Sequence, residues 1–189
     1  SKGRVAAVVS DLPNGKIRPE RRHLSAHQHV LRQLMEDTTP LPVAFGVIAD
    51  GNREVQNLLS RNQKEFLRQL QEVAGKVEMG GRATWDVPNI FEYFVNTHPE
   101  LKEARDRIVG SRGPAQEDKI DLGRFFDRIL NEERDAQTER VESILSPRCS
   151  EIKRNKCRQE REVMNLACLV GKRAQAEFET AVFEAAKLF

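Results

Sequence analysis

The chain has 189 residues, with 31 Lys and Arg against 29 Asp and Glu, so its formal charge is +2. A content of 39% hydrophobic and 32% charged residues excludes wholesale disorder and supplies enough apolar side chains for a core. The longest uncharged apolar runs, 41–49 and 163–170, fall far short of the ~20 residues that a bilayer span needs. No transmembrane helix and no signal peptide are predicted, which indicates a cytoplasmic protein.

The first part of the chain alternates β-prone runs with helical periodicity. Apolar residues repeat at helical spacing where helices are predicted, and they alternate or cluster where strands are predicted. Turn signals such as Asp11 to Gly15 and Gly75 separate the elements. In chain order the predicted elements are a strand at 4–9, a helix from Glu20 to Thr38, a buried strand at 41–49, one long helix at 55–73 and a half-buried strand at 76–85.

Helices are predicted to dominate the second part, with one hairpin among them. A short aromatic helix follows Pro88, and another starts at Pro99 and runs to about Val109. Further along the chain we predict a long amphipathic helix at 120–145, hairpin strands at 149–157 and 162–170, and a last helix after Gly171.

The stretch from Gly110 to Pro114 is the most linker-like in the sequence. It predicts two domains, 1–109 and 115–189, with element orders β-α-β-α-β-α-α and α-β-β-α. Such orders are typical of the α+β class. A strand so close to the first residue suggests that a partner strand precedes it, and the second domain is expected to lack a terminal strand.

No constellation of residues predicts catalysis, a cofactor or a metal. The cluster His23, His27 and His29 offers too few ligands in one direction for a zinc site. Three cysteines, Cys149, Cys157 and Cys168, have spacings that fit neither a disulfide framework nor a zinc motif, which favours reduced structural thiols. No phosphate-binding glycine loop and no nucleophile elbow is present. Paired acids such as Glu160 and Glu162 are interpreted as a solvated face.

The aromatic stretch from Trp85 to Phe94 is the densest in the chain. It is either core or a partner surface, and core is preferred because Phe91, Phe94 and Val95 share one helical stripe. Trp85 is predicted to pack inside the N-terminal domain, since it lies on the apolar side of its strand.

Four strings, in order, resemble the gas vesicle protein F/L family (GvpF/GvpL). They are Leu24-x-x-His27-x-x-Val30-Leu31, LPVAFGVI at 41–48, VEMGGRATWD at 77–86 and NLACLV at 165–170, the last followed by Phe178-Glu179. The resemblance extends from about Val5 to Phe178. It departs at Ala44, where a basic residue is expected in many members.

The resemblance implies an N-terminal ferredoxin-like domain and a C-terminal modified ferredoxin-like domain with long amphipathic helices. It also implies a non-enzymatic accessory or minor structural protein for gas vesicle assembly, without cofactors and located in the cytoplasm at the gas vesicle. The expected partners are the hydrophobic shell subunit and other gas vesicle proteins, with no membrane. Candidate partner-binding residues, chosen from the β-run, the 41–48 string and the aromatic stretch, are Val5, Val9, Phe45, Trp85 and Phe91.

An alternative function rests on two basic segments. Segments 16–32 and 153–161 are rich in Lys and Arg, which is typical of surfaces that bind nucleic acid. Both lack Phe, Tyr and Trp for stacking on bases, so solvated faces are the preferred interpretation. A nucleic-acid-binding or regulatory module is therefore the second hypothesis.

Overall fold

The computed structural model describes residues 4–12, 17–110 and 115–189. The chain forms two compact units, Ser1–Val77 and Glu78–Phe189, called the N-terminal and C-terminal units below. Helices are combined with one small antiparallel sheet, so the predicted α+β class is confirmed at this level.

The predicted first helix is confirmed as α1 (Arg21–Asp37). It ends where the sequence indicates, because both the backbone N–H and the hydroxyl of Thr38 donate to the carbonyl of Leu34, each at 2.9 Å. A side chain that competes for a helix carbonyl in this way favours termination.

The long helix predicted at 55–73 is two helices, α2 (Asn52–Arg61) and α3 (Gln63–Val73). Asn62 separates them with φ −107° and ψ 13°. Its side-chain amide and its backbone N–H both donate to the Leu58 carbonyl, at 3.0 and 3.2 Å. This local bonding draws Asn62 out of helical geometry, which the continuous apolar stripe does not reveal.

Gly75 ends α3 as predicted. Its φ of 68° lies in the left-handed region that glycine adopts without steric cost. The Gly75 N–H donates to the hydroxyl of Thr39 at 3.0 Å, which connects the end of α3 to the segment after α1.

Neither predicted strand before residue 50 forms a ladder. The segment 41–49 is interrupted by a turn with Gly46 at φ 91°, and Val47 is 69% exposed, so the predicted buried strand is wrong. Of the run 4–9, only Val5 makes a bridge. β-Branched side chains favour extended backbone, but a strand also needs a neighbour that exchanges hydrogen bonds.

The C-terminal unit contains every other predicted element. Asn89 caps its first helix by accepting the N–H of Glu92 at 3.1 Å, and Pro99 opens the next helix. The elements are β1 (Lys76–Thr84, which begins in the N-terminal unit), α4 (Ile90–Thr97), α5 (Pro99–Val109), α6 (Gln116–Leu145), β2 (Glu151–Arg154), β3 (Glu162–Gly171) and α7 (Gln175–Ala186).

The three strands form a sheet in the order β1-β3-β2. β2 and β3 are the predicted antiparallel hairpin, with Ile152 opposite Cys168. The Trp85 N–H donates to the Arg161 carbonyl at 2.8 Å, so the end of β1 meets the start of β3.

Two apolar clusters stabilise this unit. The sheet core joins β3 to α6 and α7, and the helical core joins α4 and α5 to α6. Buried members of the sheet core are Val141, Leu145, Val163, Met164, Leu166, Cys168, Val170, Phe178, Ala181 and Ala185. Buried members of the helical core are Ile90, Phe94, Val95, Leu101, Phe126, Ile129 and Leu130.

The compact units differ from the domains 1–109 and 115–189 that the linker-like stretch predicts. Residues 111–114 lie outside the described part of the chain, but segments on either side of them pack together: Leu101 and Phe126 share the helical core. The units divide after Val77 instead. Gly and Pro are typical of loops within a domain as well as of linkers, so this composition does not by itself locate a domain boundary.

Candidate functional site

The candidate partner residues of the N-terminal unit differ in exposure. Val5 is 6% exposed, whereas Val9 is 58% exposed. Phe45 is half-buried and lies edge-on to the ring of His27, with 5.7 Å between ring centroids. This unit also exposes further large apolar side chains: Val8, Leu24, Val30, Val43, Val47, Ile48 and Leu58.

The two aromatic candidates belong to the C-terminal unit and pack inward. Trp85 contacts both the sheet core and the helical core, and its ring lies edge-on to Phe94 at 5.4 Å. Phe91 lies edge-on to Phe126 at 5.2 Å. Phe94 and Val95 are buried, which confirms the core interpretation for these two. The packing of Trp85 is thus internal to residues 78–189, rather than to the predicted domain 1–109.

The candidates therefore fall into two groups. Val5, Val9 and Phe45 lie in the N-terminal unit, and Trp85 and Phe91 lie in the C-terminal unit. Only Val9 presents most of its side chain to solvent.

A buried carboxylate, interpreted from the sequence as part of a solvated face, lies at the start of β3. The Glu162 side chain is 2% exposed and pairs with Nε of Arg82 at 3.5 Å. It also accepts the backbone N–H of Arg158. That hydrogen bond is the main reason why the pKa of Glu162 is below its ordinary value, with burial acting in the opposite direction. The spacing Glu160-x-Glu162 gives no signal of this burial.

We expect the stability of the chain to depend on pH through Glu162. Its pKa is lower in the folded state than in the unfolded state, so its contribution is complete above the ordinary value of 4.5 and is lost as the pH falls below it. Urea midpoints measured from pH 7 to pH 3 should fall more steeply for the natural chain than for Glu162→Gln, and the two curves should converge at the acid end. The variant Glu160→Gln, at an exposed position of the same loop, should follow the natural chain. Parallel curves for the natural chain and Glu162→Gln would contradict this assignment.

Two members of the histidine cluster, His23 and His27, have partners within the protein. His23 Nδ1 lies 3.0 Å from the Arg18 carbonyl oxygen, and His27 contacts Phe45. Within the described residues, no group of three or more His, Cys, Asp or Glu side chains is placed to hold a metal ion. In the same part of the chain, no helix is long and apolar enough to cross a membrane.

The fold and sequence together define the class of protein. A model of the family described as "Gas vesicle synthesis protein GvpL/GvpF" matches residues 1–189. The chain belongs to this family, which confirms the resemblance seen in the four sequence strings.

Relatives named gas vesicle protein F are similar over most of the chain. The protein of a Streptomyces strain is 26% identical over 151 residues, which are 80% of this chain and 63% of the relative. The protein of Dolichospermum flosaquae is 28% identical over 178 residues, which are 93% of this chain and 72% of the relative. The chain thus spans less than two thirds of the Streptomyces protein.

Two solved structures share the fold. The crystal structure of GvpF from Anabaena sp. has a TM-score of 0.79 at 23% identity and covers 95% of this chain and 74% of that one. The crystal structure of GvpF from Microcystis aeruginosa has a TM-score of 0.80 at 21% identity, and the match covers 95% of this chain and 75% of that one.

Proposed function

We propose that this chain is a non-enzymatic accessory or minor structural protein of gas vesicle formation that binds the hydrophobic shell subunit. The observation that carries the proposal is the family match over the whole chain. Association with the gas vesicle and with its other proteins belongs to the same proposal, as does the ferredoxin-like character of both predicted domains.

The N-terminal unit supplies the contact surface in this proposal. It exposes branched apolar side chains in two β-prone runs, 4–9 and 41–49, with Val9 58% and Val47 69% exposed. Such runs suit a hydrophobic partner that is itself prone to β-structure. Val9, which is exposed, and Phe45, which is half-buried, are the candidates retained from these runs. Val5 is buried, and Trp85 and Phe91 pack against the helical core.

The basic segment 153–161 supports the nucleic-acid alternative less well, because two of its cations are already bonded. In the segment 153–161, Arg154 donates to both carboxylate oxygens of Glu142, at 2.8 and 2.6 Å. Arg161 donates to the Val87 carbonyl at 3.2 Å. Residue 16 of the other segment lies outside the described residues.

Retention of the full chain on immobilised shell subunit tests the proposal. Val9→Asp and Val47→Asp should each lower retention at least about tenfold, since a charge in an apolar contact costs well over 1.4 kcal/mol. The matched control is Phe183→Asp, in the C-terminal unit, where the phenylalanine is 72% exposed. Because these side chains are exposed, none of the variants should alter the unfolding midpoint greatly.

Loss of retention in Phe183→Asp alone would place the contact on the C-terminal unit and contradict the assigned surface. Failure of the natural chain to bind the shell subunit, together with salt-sensitive retention on nucleic acid, would favour the alternative.

A further inference from the structure

The last helix, α7, has apolar residues on two sides. Phe178, Ala181 and Ala185 are each 4% exposed and belong to the sheet core. On the other side of the helix, Val182 is 42% exposed and Phe183 is 72% exposed. The exposed apolar residues of this side, called the outer stripe below, are Val182, Phe183, Ala186 and Phe189. Their spacing is that of one helix face, so the outer stripe is continuous.

Opposite charges flank Phe183 at equal distances along the helix. Glu179 precedes it by four residues and Lys187 follows it by four, which is about one turn, or roughly 6 Å, in each direction. Lys187 is the residue after the end of α7, and its φ of −71° and ψ of −8° continue the helical turn. Both residues are exposed, and neither forms an ion pair within the described part of the chain. Glu179, Phe183 and Lys187 therefore lie on nearly the same face.

This pattern is self-complementary about a two-fold axis at Phe183. When a second α7 lies antiparallel to the first with the axis at this residue, Glu179 of each copy faces Lys187 of the other, and the two Phe183 rings meet. A parallel arrangement in register would instead place like charges opposite each other. The other two carboxylates of α7, Glu177 and Glu184, lie about 100–120° around the helix axis from Phe183, on the side away from Val182.

We propose that two copies of this chain associate through the outer stripe of α7, antiparallel and with the two-fold axis at Phe183. Contiguous exposed apolar side chains are typical of contact surfaces, and the paired phenylalanine rings supply the apolar centre of this contact. The ion pairs between Glu179 and Lys187 are at its rim, where they determine orientation more than strength.

The size of the contact predicts a weak dimer. α7 has 12 residues and is therefore about 18 Å long. One helix of this length buries less than the roughly 800 Å² per partner of a standard interface. The dissociation constant is accordingly expected to be on the order of 100 µM.

This association is separate from binding of the shell subunit, which is assigned to the N-terminal unit. At concentrations where the chain is monomeric, Phe183→Asp should bind the shell subunit as the natural chain does. Failure of either proposal therefore leaves the other intact.

Sedimentation equilibrium of the full chain, from micromolar to near-millimolar concentration, tests the dimer. The average mass of the natural chain should rise from that of one chain toward that of two and no further. Phe183→Asp should weaken the association at least about tenfold, because it places two carboxylates at the axis. The matched control is Val109→Asp on α5, where the valine is 75% exposed, and this variant should associate as the natural chain does.

A charge exchange tests the antiparallel arrangement. Glu179→Lys and Lys187→Glu should each weaken the dimer, because each places like charges opposite one another. The double variant Glu179→Lys/Lys187→Glu should recover the association of the natural chain. Since these side chains are exposed, all variants should keep the natural urea midpoint, which shows that they are folded.

The proposal is overturned if the natural chain stays monomeric throughout or if its mass exceeds that of two chains. It is also overturned if Phe183→Asp associates like the natural chain, or if the double charge exchange fails to recover the dimer.

Discussion

Replacing Trp85 with alanine is expected to lower the free energy of unfolding by about 3–5 kcal/mol, as large aromatic truncations in cores do. Its ring contacts both apolar clusters of the C-terminal unit and lies edge-on to the fully buried ring of Phe94. Truncation removes contacts in both clusters at once and leaves a cavity between the sheet and α4. Equilibrium unfolding in urea, followed by far-UV circular dichroism, measures the loss.

Tyr93→Ala is the matched control for this experiment. Tyr93 also lies edge-on to Phe94, with 5.6 Å between centroids, but it is 38% exposed. Its truncation should cost about 1 kcal/mol, within the range for a single aromatic pair. If Trp85→Ala keeps the natural midpoint and instead loses the shell subunit, Trp85 belongs to a partner surface and the core assignment is wrong.

The helices of the C-terminal unit could be predicted from the sequence because their apolar stripes face a core made from the same segment of chain. The stripe of α6 carries Phe126, Ile129 and Val141, and all three are buried. The β2–β3 pair could be predicted for a similar reason: from Met164 onward β3 alternates buried and half-buried residues, and β2 lies close to it in sequence. Local periodicity and local pairing are therefore sufficient for these elements.

The errors arose where structure depends on partners that a local pattern does not specify. The runs 4–9 and 41–49 have strand composition, but extended backbone becomes a strand only beside another strand. The break at Asn62 depends on one side-chain hydrogen bond within an otherwise continuous helical pattern.

The burial of individual side chains also depends on tertiary contacts, which local charge and composition do not predict. Glu162 has charged neighbours in sequence, yet its carboxylate is buried because Arg82 and the Arg158 N–H converge on it from separate segments. All the candidate partner residues are apolar in the sequence. In the structure, however, Val9 is exposed, whereas Val5 is buried and Trp85 is half-buried. The periodicity of one helix or strand does not predict which of its side chains contact another part of the chain.

The second large effect is expected at Arg134 on α6, whose side chain holds the loop between β2 and β3. Its Nε–H donates to the Glu162 carbonyl at 2.9 Å, and its Nη2 donates to the carbonyls of Gln159 and Glu160 at 3.1 and 2.8 Å. Hydrogen bonds from an ionised donor contribute about 1.5–3 kcal/mol each, less where solvent screens them. Because Arg134 is half-buried, Arg134→Met should cost about 2–3 kcal/mol in total.

A lysine at the same position distinguishes the geometry of the guanidinium from its charge. One ammonium group cannot reach three carbonyl oxygens as the planar guanidinium does, so Arg134→Lys should recover less than half of the loss. Arg140→Met is the matched control on the same helix, since Arg140 is exposed and its side chain donates, among the described residues, to Gln137 alone, at 3.3 Å. This variant should change stability by less than about 0.5 kcal/mol. Hydrogen exchange should show faster exchange of the 155–161 amides in Arg134→Met and natural rates in Arg140→Met. Natural stability in Arg134→Lys would mean that charge alone holds the loop, because the lysine variant keeps the positive charge and lacks the three-point contact.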